Sequence, residues 1–214
     1  MKIALIGASG FVGTQLLKEA LHRGHMVTAI VRHPDKITIK DDKLTVQGAD
    51  VLNEAATATL LSGHDAVISA YNSGWGNPDI YNDFIKGSQA IEKATVKSGV
   101  KRLLVVGGAG SLEIAPGKQL VDTPEFPAEW KSGALAARDY LNMLKENNEL
   151  DWTFVSPAIM LHPGERAGKY RIGHDQPVFD ANGKSEISAE DLAVAILDEV
   201  EQPKHIKKRF TAAY

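Results

Sequence analysis

The chain has 214 residues, 43% of them hydrophobic and 24% charged, the mixture of an ordinary globular protein with enough apolar content for one core. A formal net charge of -3 argues against general affinity for nucleic acid or an anionic membrane, and the absence of cysteine excludes disulfides, zinc-thiolate sites and thiol catalysis. The apolar run after Met1-Lys2 is too short for a secretory leader, and no stretch reaches the roughly 18 apolar residues of a membrane span, so a cytoplasmic location is expected.

Strand-type and helix-type segments alternate along the chain, the pattern of a parallel sheet covered on both faces. Ile3 to Ile6 reads as a central strand buried on both sides, and Phe11 to Arg23 as a helix with Leu16, Leu17, Ala20 and Leu21 on one face and Gly24 beyond its end. Val27 to Val31 and Leu44 to Val46 follow as strands, Val51 to Leu61 as a helix, and Ala66 to Ala70 as the fourth strand. Tyr81 to Ser98 predicts a long helix ending at Gly99, followed by a strand at Arg102 to Val106, a helix at Ala128 to Asn147 and a strand at Thr153 to Val155. After Pro157 the alternation loosens among glycines and prolines. A helix at Ala189 to Glu201 and a strand at Arg209 to Ala213 close the chain. The expected organisation is one domain over 1–214, with a dinucleotide-binding core at 1–156 and a substrate-side cap with closing elements at 157–214. Its fold class is α/β, a doubly wound, mostly parallel Rossmann-like sheet.

Gly7-Ala8-Ser9-Gly10-Phe11-Val12-Gly13 stands between the first strand and the first helix, with a second strand about 20 residues on. In that context each glycine has a physical task. Gly7 permits the turn, Gly10 lets backbone approach a pyrophosphate, and Gly13 lets the helix pack closely on the sheet. The helix N-terminus presents unpaired amides and a partial positive charge to phosphate, and Ser9 adds a hydroxyl. The second strand ends in Val31-Arg32-His33-Pro34, with no acid before Asp35 to take ribose hydroxyls. Arg32 offers a fork for a 2′-phosphate, with Lys36 as a second cation, so NADP(H) is expected over NAD(H). Asp50 either accepts from the adenine amino group or caps the helix predicted from Val51. Ala70 and Tyr71 end the fourth strand where the chain passes beneath a ribose.

These features, with Val105-Val106-Gly107-Gly108-Ala109-Gly110-Ser111-Leu112, Ser156-Pro157, the Gly164 to Arg171 segment and the Ile187 to Ala193 segment, resemble the atypical short-chain dehydrogenase/reductases of the NmrA-like group. The likeness is greatest to bacterial proteins described as NADH-flavin reductases, which are related to biliverdin reductase B. The resemblance implies an NADPH site at the glycine turn and reduction of a flavin-like or quinone-like acceptor. It makes Ser111 the active-site serine and places Pro157 at the start of the loop beside the nicotinamide. The implied cofactor residues are Gly7, Ser9, Gly10, Phe11, Val12, Gly13, Arg32, Asp50, Val51, Ala70, Tyr71, Gly108 and Pro157. On the acceptor side stand Trp75, a stacking or lid residue or else a packing one, and the weaker candidates Lys131 and His162. Arg166 and Tyr170 are implied as pocket wall.

The wider superfamily uses a Tyr-x-x-x-Lys pair as acid and base. None of the five tyrosines here has lysine four residues on, so tyrosine-dependent alcohol dehydrogenation is not expected. Hydride transfer to a conjugated ring needs chiefly stacking and alignment, with solvent supplying the proton. A non-catalytic NADP(H) redox sensor is the alternative from a different class. No P-loop, no Gly-x-Ser-x-Gly elbow and no His-Glu-x-x-His pair occurs, and no metal is expected.

Overall fold

Ile3 to Ile6 is apolar at every position. In the computed structural model, which describes residues 1–214, this segment is the buried middle of β1 (Lys2–Ile6). Strand β2 (Met26–Val31) pairs with it on one side and β4 (Ala66–Ser69) on the other. Strand β3 (Leu44–Gly48) lies outside β2, while β5 (Arg102–Val106) and β8 (Asp151–Pro157) continue beyond β4. Strand β12 (Lys208–Ala213) follows β8 in parallel, and β10 (Arg171–Gly173) pairs antiparallel on the outside, giving the order β10-β12-β8-β5-β4-β1-β2-β3. This is the Rossmann arrangement, in which the chain returns past its first strand between β1 and β4 and leaves a crevice at their carboxyl ends.

Two clusters fill the two faces of the sheet. Helix α1 (Phe11–His22) and helix α5 (Ala189–Glu201) pack on one, where Leu16, Leu17, Ile196 and Phe210 are fully buried. Helices α2 (Glu54–Leu61), α3 (Ile80–Ser98) and α4 (Ala128–Leu144) cover the other, around Ile91, Tyr140 and Phe154.

Several predicted boundaries move for identifiable reasons. The helix expected from Val51 begins at Glu54, because Asn53 caps it by accepting from the Ala56 amide at 3.1 Å. Asp50 therefore does not cap a helix; its carboxylate closes a local turn on the Leu52 amide at 3.0 Å. Helix α4 stops at Leu144 rather than Asn147, since the Asn147 side chain accepts from the Glu149 and Leu150 amides and turns the chain into β8. Short pieces were missed: the hairpin of β6 (Glu113–Ala115) with β7 (Lys118–Gln119), and the parallel pair of β9 (Met160–His162) with β11 (Glu186–Ser188). The residues after Pro157 do more than cap: β10 and β12 extend the main sheet and α5 covers its face.

The segment between β9 and β10 has little apolar content and is held by charge. Glu19, 4% exposed on α1, accepts from Arg23 Nε at 2.7 Å and from Arg166 Nε and Nη2 at 2.6 and 2.8 Å. Arg23 continues to Asp198 and Glu201, Gly168 donates its amide to Asp191, and Tyr170 donates to Asp198. The hydrogen bonds from Arg166, helped by those from Arg23, outweigh burial and hold the Glu19 carboxyl at about 2 instead of 4.5. A depressed folded-state value means stability that is complete above pH 4.5 and lost as pH falls toward 2. Glu19→Gln should cost about 3 kcal/mol at neutral pH. It should also flatten the loss of stability between those two pH values, as read by urea denaturation across the acid range.

Candidate functional site

The turn from β1 into α1 is shaped by the absence of side chains. Gly7 has φ +78°, and a Cβ there would lie 2.5 Å from the Ala70 carbonyl oxygen at the end of β4. A Cβ on Gly13 would lie 2.0 Å from the Gly7 oxygen. The Gly10 amide closes the turn on Gly7 O at 3.0 Å. Helix α1 has no side-chain cap, and the amides of Phe11, Val12 and Gly13 donate to nothing in the chain. A helix end with three unspent donors and its partial positive charge suits an anion.

A cleft of about 420 Å³ opens above this turn. Its wall brings together Gly7, Ser9, Gly10, Arg32, Asp50, Val51, Ala70 and Tyr71, all expected from sequence. Phe11 and Val12 stand at the helix start beside it, and Gly13 lies beneath. Arg32, His33 and Lys36 gather at the end of β2, and Lys86 faces in from α3. The cleft is thus lined by basic residues from two elements, together with Asp50 and Asp83. Lys86 and Asp83 escaped the sequence reading, as did His33 and Leu52; the facing of α3 depends on how it docks, which periodicity does not give. Lys36, read as a second cation, does line the wall.

The loop after β4 forms the remaining wall through Asn72, Ser73 and Asn77. Tyr71 donates its hydroxyl to the Asp83 carbonyl at 3.1 Å, and burial pushes its pKa up. Gly87 makes room for that ring, since a Cβ there would lie 2.4 Å from it. The ring is thus a fixed wall of the cleft. Tyr140, one helix away, is fully buried and raised further for the same reason.

The acceptor-side residues are not brought into the cleft. Trp75 rests on the bare face of Gly133 in α4, where a Cβ would lie 2.7 Å from the indole, yet keeps 59% of its surface exposed. Lys131 is exposed at the start of α4, and His162 turns its ring nitrogen to the Pro163 carbonyl at 3.0 Å. Gly108 follows β5 and Pro157 ends β8, both at the carboxyl edge of the sheet but outside the cleft wall. Ser111 is 2% exposed, and its hydroxyl accepts from Arg209 at 2.9 Å. Arg166 and Tyr170 belong to the charged network of α1 and α5.

Comparison with known proteins gives the family and the shared fold. A family profile described as NAD(P)H-binding matches residues 7–203. The uncharacterized protein YwnB of Bacillus subtilis is 41% identical over 214 residues, 99% of this chain and 97% of its own. A candidate epimerase from Bacteroides thetaiotaomicron, 50% identical, superposes with TM-score 0.93 over 100% of this chain and 96% of that one. A candidate NADH-flavin reductase from Streptococcus pneumoniae, 38% identical, gives 0.88 over 100% and 99%. The chain belongs to the NAD(P)H-binding family, whose cofactor is a nicotinamide dinucleotide. The side-chain-free cradle and the unspent α1 amides fit a diphosphate. No helix is long and apolar enough to cross a membrane.

Gly13→Ala tests the cradle. Its methyl group has nowhere to go but against the Gly7 carbonyl, so the helix must shift. The variant should lose about 1–3 kcal/mol of stability. It should also bind NAD(P)H at least about tenfold more weakly, one lost charge-assisted hydrogen bond being enough for that. Thermal denaturation and fluorescence titration read the two effects.

Proposed function

We propose that the chain is a cytoplasmic NADPH-dependent reductase that passes hydride to a flavin-like or quinone-like ring. The observation that carries the cofactor choice is the end of β2, where Arg32, His33 and Lys36 line the cleft and no carboxylate stands in the place that would read ribose hydroxyls. Arg32 is exposed there and free to turn its fork onto a 2′-phosphate. Ser9, Gly10 and the first amides of α1 hold the diphosphate, while Asp50 keeps one carboxylate oxygen for the adenine amino group. Ala70, without bulk, and the fixed Tyr71 ring form the floor beneath the ribose.

The absence of a Tyr-x-x-x-Lys pair supports an acceptor that needs no protein acid, and the name of the Streptococcus relative points the same way. Held by these residues, NADPH would supply a hydride, two electrons and one proton, to the acceptor ring and become NADP+, and the reduced acceptor would take its second proton from solvent. The protein's task is alignment. Gly108 and Pro157, at the carboxyl ends of β5 and β8, border the nicotinamide half of the crevice in this reading. Residues 157–214 close the acceptor side of one dinucleotide-binding domain.

Arg32→Ala should weaken NADPH binding about 10–100-fold, the value of losing charge-assisted hydrogen bonds, and leave NADH binding within about twofold. Equal losses for both would remove the phosphate-reading role. Loss of NADPH absorbance with riboflavin or a soluble quinone tests the activity. Tight NADPH binding with no turnover on either acceptor would replace the reductase with a redox sensor.

A further inference from the structure

The turn that follows β5 is clamped from two sides by residues with no side chain. A Cβ on Gly107 would lie 1.9 Å from the Phe154 ring of β8, and one on Gly110 would lie 2.9 Å from the Ala134 methyl of α4. The turn is therefore pressed between sheet and helix, and it delivers Ser111 to the face of the sheet that carries Phe154. Arg209 reaches the same face from β12, because Arg209 and Phe154 are register partners. Its Nη1 donates to both oxygens of Ser111, the carbonyl at 2.8 Å and the hydroxyl at 2.9 Å. The other edge of the guanidinium is held by Asp175, with Nε and Nη2 at 3.0 and 2.6 Å from one carboxylate oxygen. The arginine side chain is 5% exposed, whereas that of Asp175 is 67% exposed.

A guanidinium has donors only, so the Ser111 oxygen is forced to accept and its own hydrogen must go elsewhere. No acceptor in the chain takes it. Two further hydroxyls on this face, Ser156 and its register partner Thr211, are buried without any partner. A permanent, buried cation behind a serine also polarises that hydroxyl as a donor. We propose that Arg209 is a positioning residue: by gripping both oxygens of Ser111 it pins the 107–112 turn, and with it the Gly108 backbone at the carboxyl end of β5, between β8 and α4 for hydride transfer. This rests on the reductase reading above.

The test compares Arg209→Met, Arg209→Lys, Asp175→Asn, Ser111→Ala and the Ser111→Ala/Arg209→Met double variant. In the ligand-free protein, Arg209→Met should raise deuterium exchange in the 107–112 turn about tenfold and leave the β1–α1 turn unchanged. With NADPH and riboflavin, kcat should fall about tenfold while KM for NADPH stays within about twofold, and Arg209→Lys should restore part of the loss. The double variant should be no slower than Ser111→Ala alone, because both changes remove one interaction. Additive losses, an unchanged kcat, or exchange rising throughout the sheet would each overturn the proposal. Should Arg209→Met fail to fold, Asp175→Asn decides. This surface change should loosen the turn and lower kcat about threefold, and wild-type behaviour in both readouts overturns the role. Wild-type protein that turns over no riboflavin would remove the reductase reading and Arg209's role with it; wild-type turnover with an unaffected Arg209→Met removes Arg209's role alone.

Discussion

Everything at the cleft follows from how closely three backbones meet where the first strand ends. The Gly7 carbonyl lies where a Gly13 side chain would begin, and the Ala70 carbonyl lies where a Gly7 side chain would begin. Because no Cβ intervenes, α1 starts directly against β1, and the end of β4 runs beneath the same point. The helix end, its unspent amides and the floor of the crevice are thus one object. A single methyl group would separate its parts by more than a hydrogen-bond length can absorb.

A different physics holds the stretch between β9 and β11. It is poor in apolar residues, and its attachments to the α1, α5 and β12 framework are largely ionic. Arg166 grips Glu19, Arg209 grips Asp175, and Arg102 reaches Glu199, which also accepts from His205. Each of these pairs has at least one buried member, so it adds little net stability relative to apolar packing yet fixes where a segment docks. Here they attach polar segments to an apolar sheet at defined points: on α1, under the turn after β5, and at the amino end of β8.

That division explains what the amino-acid sequence reveals. β1, β2, β4 and β5 are continuous apolar runs because both their faces are covered, and they are plain to read. The glycine turn is equally plain, since its spacing and its flanking strand and helix occur together. By contrast, β6, β7, β9, β10 and β11 span two or three residues each, too few for any periodicity to register. The start of α2 was misplaced because Asp50 and Asn53 are both good caps and only the turn geometry chooses between them. Lys86 enters the cleft through the rotation of α3, and Ser111 meets its arginine 98 residues away. Neither relation is local, so neither leaves a local trace.

The two margins of the sheet have a bearing on how the protein behaves in crowded solution. On one side β10 pairs for only three residues, and its Arg171 is engaged with the Phe179 and Tyr214 carbonyls. On the other, β3 is preceded by the exposed run Lys40-Asp41-Asp42-Lys43. A three-residue border on one side and a five-residue border led in by a charged run on the other give a foreign strand little template to extend. The unpaired backbone groups of this seven-stranded parallel platform are thereby confined to two short margins, which disfavours β-pairing between molecules.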